Sequence, residues 1–464
     1  MTDSLNTPST LFSSLPLSAA MLDNLKSLEY TEMTPIQAQS LPVILAGKDI
    51  IAQAKTGSGK TAAFGIGLLE KLDVHSFAVQ SLVLCPTREL ADQVAKELRR
   101  LARATHNVKI LTLCGGVSIG PQIGSLERGA HIIVGTPGRI VDHLRKDTLK
   151  LDKLNLLVLD EADRMLDMGF AEDIDTVINA AKLERQTLLF SATYPDNIQK
   201  ISAKYQHQPV RVTVESLHNE QAITEHFYEL RETDNKTQAV LQLLTQFQPE
   251  SCIIFCNTKS DCQSLADSLN SRRVKALALH GDLEQKDRDR VLVQFSNKSV
   301  GILIATDVAA RGIDVKNLDV VINVDLARDS QVHVHRIGRT GRAGLEGVAL
   351  SLVAPNDLGK LNRLEDTLQK SITLEALPQA ALDELPVAQM VTINIDGGKK
   401  DKLRPGDILG ALTKDVGIAG SLIGKIDIFD FVTYVAVDKT VANRVVAHLQ
   451  EGKLKGRKFR ARKL

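Results

Sequence analysis

The chain contains 464 residues, of which 43% are hydrophobic and 24% charged, and its formal net charge at pH 7 is +1. This length predicts two to three domains, each with its own core, in a protein of ordinary globular composition. No apolar run approaches the roughly 18 residues that cross a bilayer, and the polar start of the chain does not resemble a signal peptide. These features argue against a membrane or secreted protein, and we expect a cytoplasmic one.

The small net charge conceals an uneven distribution along the chain. Residues 388–464 carry 15 Lys and Arg against 8 Asp and Glu, whereas the rest of the chain has a net charge of −6. A basic C-terminal module on a mildly acidic body predicts contact with a polyanion. The alternative interpretation is a solvated charged surface.

Short β-branched runs alternate with helical patterns in the first half, which predicts a parallel sheet covered by helices. The predicted strands cover residues 49–53, 81–85, 131–134, 156–159 and 187–190. The loop Gly57-Ser58-Gly59-Lys60-Thr61 follows the first strand and precedes a helical pattern. In that context the backbone N–H groups of the loop can wrap phosphates, Lys60 adds positive charge, and Thr61 can ligate Mg²⁺.

The acidic motif Asp160-Glu161-Ala162-Asp163 directly follows a predicted buried strand, one hundred residues beyond Lys60. Asp160 can hold a metal ion through its water shell, and Glu161 can polarise an attacking water. Acidic tetrads are commonly solvated turns. The preceding strand and the phosphate-type loop favour a site that hydrolyses a Mg-bound nucleoside triphosphate.

Polar segments marked by Gly and Pro follow the predicted strands in both halves of the chain. The strands of the second half cover residues 252–256, 275–279, 302–305, 320–323 and 348–352, after an irregular segment at 207–225 that we interpret as a linker. Parallel α/β sheets bind ligands at the carboxyl ends of their strands. The recurrence predicts two similar domains facing a common cleft.

A glycine-punctuated turn at residues 335–344 contains Arg336, Arg339 and Arg342. Arginines projecting from one domain towards a nucleotide held by the other would act as fingers on the γ-phosphate. ATP would then bridge the cleft, and its hydrolysis would change how the domains sit together. The alternative is a solvated basic loop.

The pattern changes from Val391 onwards. Predicted strands cover residues 391–395, 431–437 and 458–461, and predicted helices cover 405–414 and 441–450. This small α+β module is the basic part of the chain.

In their order along residues 12–355, these motifs resemble those of the DEAD-box RNA helicases. The resemblance implies an α/β fold with two tandem RecA-like parallel-sheet domains, residues 1–210 and 220–368, followed by a linker at 369–387. Residues 388–464 are similar to an RNA-recognition motif. The implied activity is RNA-dependent hydrolysis of ATP with Mg²⁺, and we expect a monomer.

The resemblance implies a role for each matching residue. The adenine would be read by Phe12, Thr34 and Gln37, and the ribose by Asp314. The phosphates would be held by Thr56, Gly57, Ser58, Gly59, Lys60 and Thr61, with Thr61 and Asp160 at the metal. Ser191 and Thr193 would couple the acidic motif to RNA through Asp163, and Arg339 and Arg342 would be the fingers. Glu29-Tyr30 stands where a Gly-aromatic pair is usual, which bears on the adenine contacts.

RNA-facing positions in such proteins match residues in both halves of the helicase region. They are Pro86, Thr87, Arg88, Gly115, Gly116, Thr136, Arg139, Gln285, Arg288 and Thr306.

In the C-terminal module, residues 427–434 fall where the longer RNA-contacting strand motif is expected, with aromatics at its third, fifth and eighth places. Thr392 stands where the partner strand should carry a stacking aromatic, and Phe431 is as consistent with packing as with stacking. We therefore assign recognition to basic residues that can read shape and backbone. They are Lys399, Lys400, Lys402, Arg404, Lys453, Lys455, Arg457, Lys458, Arg460 and Arg462.

The leading hypothesis is an ATP-dependent RNA helicase that melts short duplexes locally. Similarity to bacterial members with this appended domain implies a structured element of 23S ribosomal RNA as target, during large-subunit assembly. An ATP-regulated RNA clamp or chaperone is the alternative, because it needs the same motifs. A DNA motor is a third hypothesis, which the RNA-type module disfavours.

Overall fold

The computed structural model describes residues 10–54, 57–194, 196–214, 223–310, 313, 318–341, 346–379 and 387–464. The chain divides into two compact units, Met1–His218 and Asn219–Leu464. The first contains a parallel sheet with its helices, and the second contains another such sheet and a small antiparallel one. In this part of the chain, none of the helices combines the length and apolar character that a bilayer crossing requires.

The first unit is built on a sheet of seven parallel strands: β1 (Ile50–Gln53), β2 (Ser81–Leu84), β3 (Ile110–Leu113), β4 (Ile132–Gly135), β5 (Leu156–Leu159), β6 (Gln186–Ser191) and β7 (Val210–Thr213). Their order across the sheet is β3-β4-β2-β5-β6-β1-β7. Its helices are α1 (Ala19–Ser27), α2 (Pro35–Leu45), α3 (Lys60–Glu70), α4 (Arg88–Leu101), α5 (Gly120–Leu126), α6 (Pro137–Arg145), α7 (Ala162–Asp167), α8 (Ala171–Ala180) and α9 (Asp196–Tyr205).

Alternate residues of the central strands enter two separate cores, one on each face of this sheet. Val158 and Phe190 belong to one core, whereas Leu157, Leu159 and Leu189 belong to the other. Because successive side chains of a strand point to opposite faces, a strand covered on both faces needs a continuous apolar run. That run explains why β1, β2, β4, β5 and β6 were predicted to within one residue at each end.

The segment at 207–225, predicted as an irregular linker, is partly regular structure. β7 lies within it and pairs with β1, and the strand β8 (Ile223–Glu229) begins inside it. Both strands lack a continuous apolar run, and most of their side chains are partly or fully exposed. Residues 215–222 lie outside the described residues.

The parallel sheet of the second unit also has seven strands: β8, β9 (Cys252–Cys256), β10 (Ala276–Leu279), β11 (Ile302–Thr306), β12 (Val320–Asn323), β13 (Gly347–Val353) and β14 (Leu374–Ala376). Their order is β10-β11-β9-β12-β13-β8-β14. The accompanying helices are α10 (Lys236–Phe247), α11 (Lys259–Ser271), α12 (Gln285–Ser296), α13 (Asp307–Ala310), α14 (Ser330–Ile337) and α15 (Leu358–Leu368). β14 lies inside the segment predicted as a linker at 369–387, and it adds an edge strand to β8.

The small sheet of the second unit is antiparallel, with strands β15 (Met390–Ile395), β16 (Ile423–Ile428), β17 (Thr433–Asp438) and β18 (Ala461–Lys463) in the order β16-β17-β15-β18. Its helices are α16 (Pro405–Gly410), which continues into a π-helical turn, and α17 (Ala442–Glu451). One face of the sheet sends Ile393, Ile395, Val435 and Val437 into a core with these helices. β16 was not predicted, because Gly424 and Lys425 interrupt its apolar pattern.

The opposite face of the small sheet is covered by the parallel-sheet domain of the same unit. Thr392 is buried there, and its hydroxyl oxygen lies 2.7 Å from Ser299 Oγ and 3.2 Å from the donating Asn297 Nδ2. At the margin, Lys425 Nζ donates to Ser296 Oγ at 2.8 Å. The position where a stacking aromatic was expected therefore contacts protein, at the C-terminal end of α12.

Candidate active site and nucleic-acid interface

The glycine-rich loop adopts a backbone that only glycine accommodates easily. Gly57 and Gly59 have φ values of +86° and +96°, in the region that side chains with a Cβ avoid. A Cβ on Gly59 would lie 2.5 Å from Gln37 Nε2. Lys60 begins α3, is buried, and donates from Nζ to the Ala54 carbonyl at 2.9 Å. Helix N-termini with such loops bind phosphates, so these residues fit a triphosphate.

Ser58 supports the same fit. Its hydroxyl oxygen is buried and has no hydrogen-bond partner among the described residues, and buried polar atoms are normally satisfied. A phosphate oxygen would satisfy it. Thr56, predicted at the same site, lies outside the described residues.

Gln37 connects the start of α2 to the glycine-rich loop. Its Oε1 accepts from the Thr34 backbone N–H at 2.9 Å, and its Nε2 donates to the Gly59 carbonyl at 3.1 Å. Two of the three predicted adenine-reading residues, Thr34 and Gln37, therefore lie against the phosphate loop. Phe12 is buried and packs edge-to-face on Tyr30, with ring centroids 6.2 Å apart. Its role at the adenine stays a prediction.

The unusual pair Glu29-Tyr30 keeps a glycine-like backbone. Glu29 has a φ of +62°, a conformation that glycine adopts without strain. Tyr30 donates its hydroxyl to Glu97 at 2.7 Å, and burial followed by this hydrogen bond raises the pKa of Tyr30 to about 12. Glu29 thus stands in place of the usual glycine and keeps the left-handed backbone conformation that the glycine would adopt.

Asp160 lies immediately after β5 and is buried, with its backbone N–H donating to Leu84 at 3.0 Å. Burial raises the pKa of Asp160 to about 7; the charge of Lys60 opposes this rise, whereas Glu161 adds to it. A divalent cation favours the ionised form of such a carboxylate and releases its proton. Asp160, with Thr61 in the first turn of α3, therefore suits a Mg²⁺ ion.

Glu161 is held by a neighbour that the sequence analysis missed. Its backbone is left-handed, with φ of +52°, and its Oε2 lies 2.9 Å from Arg164 NH1. Both side chains are only 7% exposed, which makes this a buried ion pair. In the sequence, Arg164 is one basic residue at a helix start, and nothing marks it as buried.

Asp163 joins the acidic motif to the segment that follows β6. Its Oδ2 accepts hydrogen bonds from the backbone N–H groups of Ala192 and Thr193 at 3.2 and 3.0 Å, and from the Thr193 hydroxyl at 2.9 Å. Burial alone would raise the pKa of Asp163, but the Thr193 hydrogen bonds and the charge of Lys60 bring it below its ordinary value. Ser191 ends β6, and its carbonyl accepts from Ala54 N–H at 3.0 Å.

Two predicted RNA-facing arginines of the first unit fix one glycine loop. Arg88 donates from NH1 to the Gly115 carbonyl at 3.1 Å, and Arg139 donates from NH2 to the Val117 carbonyl at 2.8 Å. Gly116, between these carbonyls, has a φ of +74°. The loop therefore lies between the segments after β2 and β4.

The other predicted residues of this surface begin the helices that carry the arginines. Thr87 caps α4 by accepting from Leu90 N–H, and Pro86 precedes it. Thr136 is the residue before α6. Gln122 was missed: its Oε1 accepts from Arg139 NH1 at 3.0 Å, and its Nε2 donates to the Cys114 carbonyl at 3.0 Å.

The predicted RNA-facing residues of the second unit lie at element ends. Thr306 ends β11, and Gln285 and Arg288 lie in the first turn of α12. Gln285 donates from Nε2 to Asp289 Oδ1 at 2.7 Å. The same helix ends at Ser296, beside Thr392 of the small sheet.

Arg336 lies in the last turn of α14, so the segment predicted as a turn at 335–344 begins as helix. Its side chain joins the ends of three strands. It donates to both carboxylate oxygens of Asp307 at 2.6 and 2.7 Å, to Asn257 Oδ1 at 2.9 Å, and to the Asp325 carbonyl at 2.7 Å. These partners follow β11, β9 and β12. Its buried, fully engaged guanidinium has a structural role that sequence reasoning had not assigned.

Arg339 is also buried within the second unit, where NH1 donates to the Ile313 carbonyl at 3.0 Å. A guanidinium has five N–H donors, so this hydrogen bond does not by itself prevent Arg339 from acting as a finger. Arg342 and Asp314, the other predicted nucleotide contacts of this unit, lie outside the described residues.

The ten basic residues predicted to bind RNA in the C-terminal domain are all exposed: Lys399, Lys400, Lys402, Arg404, Lys453, Lys455, Arg457, Lys458, Arg460 and Arg462. Three of them form ion pairs: Lys455 with Asp407 at 3.0 Å, Arg457 with Asp401 at 3.7 Å, and Arg462 with Asp396 at 2.9 Å. The other seven form no ion pair with any residue that the structure describes. Their charge is available to an external anion.

The aromatic pattern at 427–434 does not lie on one strand, contrary to the sequence analysis. β16 ends at Ile428 and β17 begins at Thr433, so Phe429 and Phe431 occupy the turn between them. Tyr434 lies on β17, is buried, and contacts Phe429 with ring centroids 5.7 Å apart. Phe431 is 72% exposed, which settles that it is not a packing residue.

Three family models match the chain in order: DEAD/DEAH box helicase over residues 34–201, helicase conserved C-terminal domain over 235–344, and DbpA RNA binding domain over 392–463. The chain therefore belongs to the DEAD-box ATP-dependent RNA helicases and carries a DbpA-type RNA-binding domain. The predicted fold class is confirmed by the two parallel sheets and the small third sheet. The predicted ATPase and RNA helicase class is confirmed by these matches.

Similar proteins of known name are also RNA helicases of this family. ATP-dependent RNA helicase DbpA of Escherichia coli (strain K12) is 54% identical over 98% of this chain and 100% of its own length. DEAD-box ATP-dependent RNA helicase CshA of Geobacillus kaustophilus (strain HTA426) is 44% identical over 81% of this chain and 80% of its own. The solved structure of S. cerevisiae Dbp5 bound to RNA and ADP BeF3 is 31% identical, with a TM-score of 0.72, and the match covers 80% of this chain and 96% of that one.

Proposed function

We propose that this helicase uses Mg-ATP to separate short RNA duplexes locally, and that its C-terminal domain directs it to a structured element of 23S ribosomal RNA. The observation that carries the ATP-driven part is the Asp163–Thr193 contact. It joins the acidic motif to a segment outside that motif, so a change at the nucleotide can alter that segment.

In this mechanism the first unit binds and activates the nucleotide. Lys60 and the loop from Thr56 to Gly59 bind the phosphates, while Thr61 and Asp160 hold Mg²⁺, which neutralises charge on the phosphates when bound. Glu161 accepts the proton of the attacking water, and Arg164 keeps that carboxylate in place. Phe12, Thr34 and Gln37 read the adenine.

The second unit would complete the site. Asp314 meets the ribose, and Arg339 and Arg342 act on the γ-phosphate as fingers. ATP and RNA together would close the two units and so bend one RNA strand. Hydrolysis of the ATP would then reset the two units.

RNA contacts of the motor are proposed for the loops at the strand ends. Arg88 and Arg139 support this assignment, because they hold the Gly115–Val117 loop in one conformation. Pro86, Thr87 and Thr136 belong to the same surface, and Gln285, Arg288 and Thr306 supply contacts from the second unit.

The ribosomal target rests on the DbpA-type domain and its exposed cations. Its sheet face is covered at Thr392, which favours recognition of RNA shape and backbone by the basic residues over base stacking on the sheet. We further propose that the protein acts as a monomer, in the cytoplasm, during assembly of the large ribosomal subunit.

A strand-displacement assay with Glu161→Gln tests the ATP-driven model. The substitution keeps the shape of the side chain and removes the proton acceptor, so ATPase and unwinding rates should both fall roughly 10²- to 10⁴-fold. Glu184→Gln, at an exposed position of the same unit, is the matched control. Unwinding that continues at the wild-type rate in Glu161→Gln would refute the model.

The same assay distinguishes a helicase from the alternative, an ATP-regulated clamp or chaperone. A clamp would separate no strands in the wild type, yet Glu161→Gln would lengthen its residence on RNA in ATP. A helicase separates strands in the wild type. Equal stimulation of the ATPase activity by DNA and RNA would instead support the hypothesis of a DNA motor.

The target is tested by ATPase stimulation with fragments of large-subunit ribosomal RNA. The double substitution Lys458→Glu, Arg460→Glu should abolish the preference for particular fragments. Lys439→Glu, Arg444→Glu changes the same charge at exposed positions of the same domain and should leave the preference intact. Equal effects of the two variants would mean that charge alone, and not this surface, attracts RNA.

A further inference from the structure

Two turns of the C-terminal domain are joined into one projection, which we call the Phe431 tip: Lys399, Lys400 and residues 429–432. Lys399 N–H donates to the Phe429 carbonyl at 2.8 Å, and Lys400 N–H donates to the Asp430 carbonyl at 2.9 Å. Phe429 N–H closes the second turn by donating to the Val432 carbonyl at 2.8 Å. Backbone hydrogen bonds therefore fix the two lysines and Phe431 in one frame.

The approach of the two turns is unusually close. A Cβ on Gly398 would lie 2.2 Å from the Phe429 carbonyl oxygen and 2.6 Å from that of Asp430, so a larger residue would separate them. Thr433 adds a buried hydrogen bond from its hydroxyl to the Gly397 carbonyl at 2.8 Å. The tip is thus built on packed backbone and does not depend on side-chain contacts of Phe431.

Phe431 presents a large apolar ring on this frame. At 72% exposure it is the most exposed aromatic side chain of the described residues, whereas Tyr434 of the same domain is buried. A ring exposed to water in this way forgoes the stabilisation that burial of an apolar side chain provides. On the sheet, Thr392 and Tyr434 are both buried, and Phe429 and Phe459 are only partly exposed, so Phe431 is the ring of this domain most accessible to an external ligand.

The charges around the ring favour a polyanion. Lys399 and Lys400 are exposed and form no ion pair with the residues that the structure describes. The neighbouring Asp401 accepts from Gly398 N–H at 3.0 Å and pairs with Arg457. Asp430, exposed in the same turn, is the opposing charge, which leaves the tip with a net positive charge.

We propose that the Phe431 tip is an RNA-binding site at which Phe431 stacks on an unpaired base while Lys399 and Lys400 contact the adjacent phosphates. An exposed ring beside cations is how proteins hold unstacked bases of loops and bulges. The site lies at the end of the sheet and not on its face, which the parallel-sheet domain covers. The inference rests on the proposed RNA-targeting function of this domain and adds a contact for an unpaired nucleotide.

The test uses the full chain and a large-subunit ribosomal RNA fragment that stimulates its ATPase. Phe431→Ala should weaken binding roughly 5- to 150-fold, the range expected for one stacked base. Phe431→Trp should bind as well as the wild type, because it keeps a stacking surface. Leu409→Ala, which truncates another exposed apolar side chain of the domain (42% exposed), is the matched control.

Salt dependence distinguishes stacking from charge. The slope of log affinity against log salt should be unchanged in Phe431→Ala, and it should fall by about 1 in Lys399→Ala and again in Lys400→Ala. A thermal unfolding midpoint equal to that of the wild type shows that each variant is correctly folded. Affinity of Phe431→Ala within twofold of the wild type would overturn the inference.

The outcomes separate this inference from the function on which it rests. If Phe431→Ala binds normally but Lys458→Glu, Arg460→Glu does not, the domain binds RNA and the tip is wrong. If neither variant alters binding, the RNA-targeting function of the domain fails as well. If Phe431→Ala binds RNA normally but loses binding to a purified ribosomal protein, the tip belongs to a protein interface and the inference is overturned.

Discussion

At the scale of single residues, the candidate active site contains positions at which backbone conformation and packing restrict substitution. Gly59 combines a φ of +96° with a space that a Cβ would share with Gln37. Glu161 combines a left-handed backbone with a buried ion pair to Arg164. Both residues can therefore be tested by substitutions that alter one feature at a time.

Gly59→Ala should lower ATP affinity by at least tenfold. The left-handed backbone costs an alanine about 1–2 kcal/mol, and its methyl group would displace Gln37 from the loop. Isothermal titration with a non-hydrolysable ATP analogue measures the loss. Gly124→Ala is the control, because Gly124 lies in α5 with no atom within 4 Å of its Cβ position; comparable losses in both variants would contradict this account of the loop.

Arg164→Met should reduce the unfolding free energy of the first unit by about 3–5 kcal/mol, because it removes the charge that compensates buried Glu161. Urea unfolding followed by amide hydrogen exchange within the first unit reports this change. Adding Glu161→Gln to Arg164→Met should recover most of the loss, since no buried charge then remains from the pair. Additive losses in the double variant would show that the two side chains act independently.

At the scale of elements, the strands that sequence reasoning located are those covered on both faces. β5 was predicted with its observed bounds, because Leu156 to Leu159 are all apolar and buried. β3, β7, β8, β14 and β16 were missed, because these strands are only partly buried and tolerate polar residues such as Arg211, His226 or Lys425. The local pattern of apolar residues indicates which strands are buried, whereas these strands are defined by their backbone pairing with neighbouring strands.

The candidate site shows the same division. The glycine-rich loop, Asp160, Glu161 and Asp163 could be predicted, because their chemistry requires fixed residue types at fixed spacing. Gln122 and Arg336 could not, because their partners are brought to them by tertiary structure. Arg164 could not, because nothing in the sequence shows that its local pair with Glu161 is buried. The same holds for Thr392, whose partners are almost one hundred residues away in sequence.

The contact between α12 and the small sheet is an element-scale feature that a single substitution can break. Thr392→Tyr should undock the C-terminal domain, because no space exists beside Ser299 Oγ at 2.7 Å for a ring. Amide hydrogen exchange should then increase at residues 296–299. Thr440→Tyr, at an exposed position of the same domain, should leave exchange unchanged; persistent protection in Thr392→Tyr would contradict the described contact.

At the scale of the whole molecule, two functions lie in different parts of the chain. The first unit carries the phosphate loop and acidic motif, and the second carries the basic domain attached beside α12. The first turn of α12 also bears Gln285 and Arg288. Helix α12 thus carries proposed motor contacts to RNA at its start, and the domain proposed to select the RNA lies at its end.

The central claim is that ATP hydrolysis in this protein is coupled to RNA strand separation through Asp163 and Thr193. Thr193→Val removes the hydroxyl that donates to Asp163 at 2.9 Å and keeps the backbone donor. Thr187→Val, earlier on β6, is the control, because its buried hydroxyl has no partner among the described residues.

The decisive measurement is the number of RNA strands separated per ATP hydrolysed by each variant. A hydrogen bond to a charged group contributes about 1.5–3 kcal/mol, so Thr193→Val should lower this ratio roughly 10- to 100-fold while the ATPase rate changes less than threefold. Thr187→Val should keep the wild-type ratio. An unchanged ratio in Thr193→Val, with ATPase and unwinding falling together, would contradict coupling through this contact.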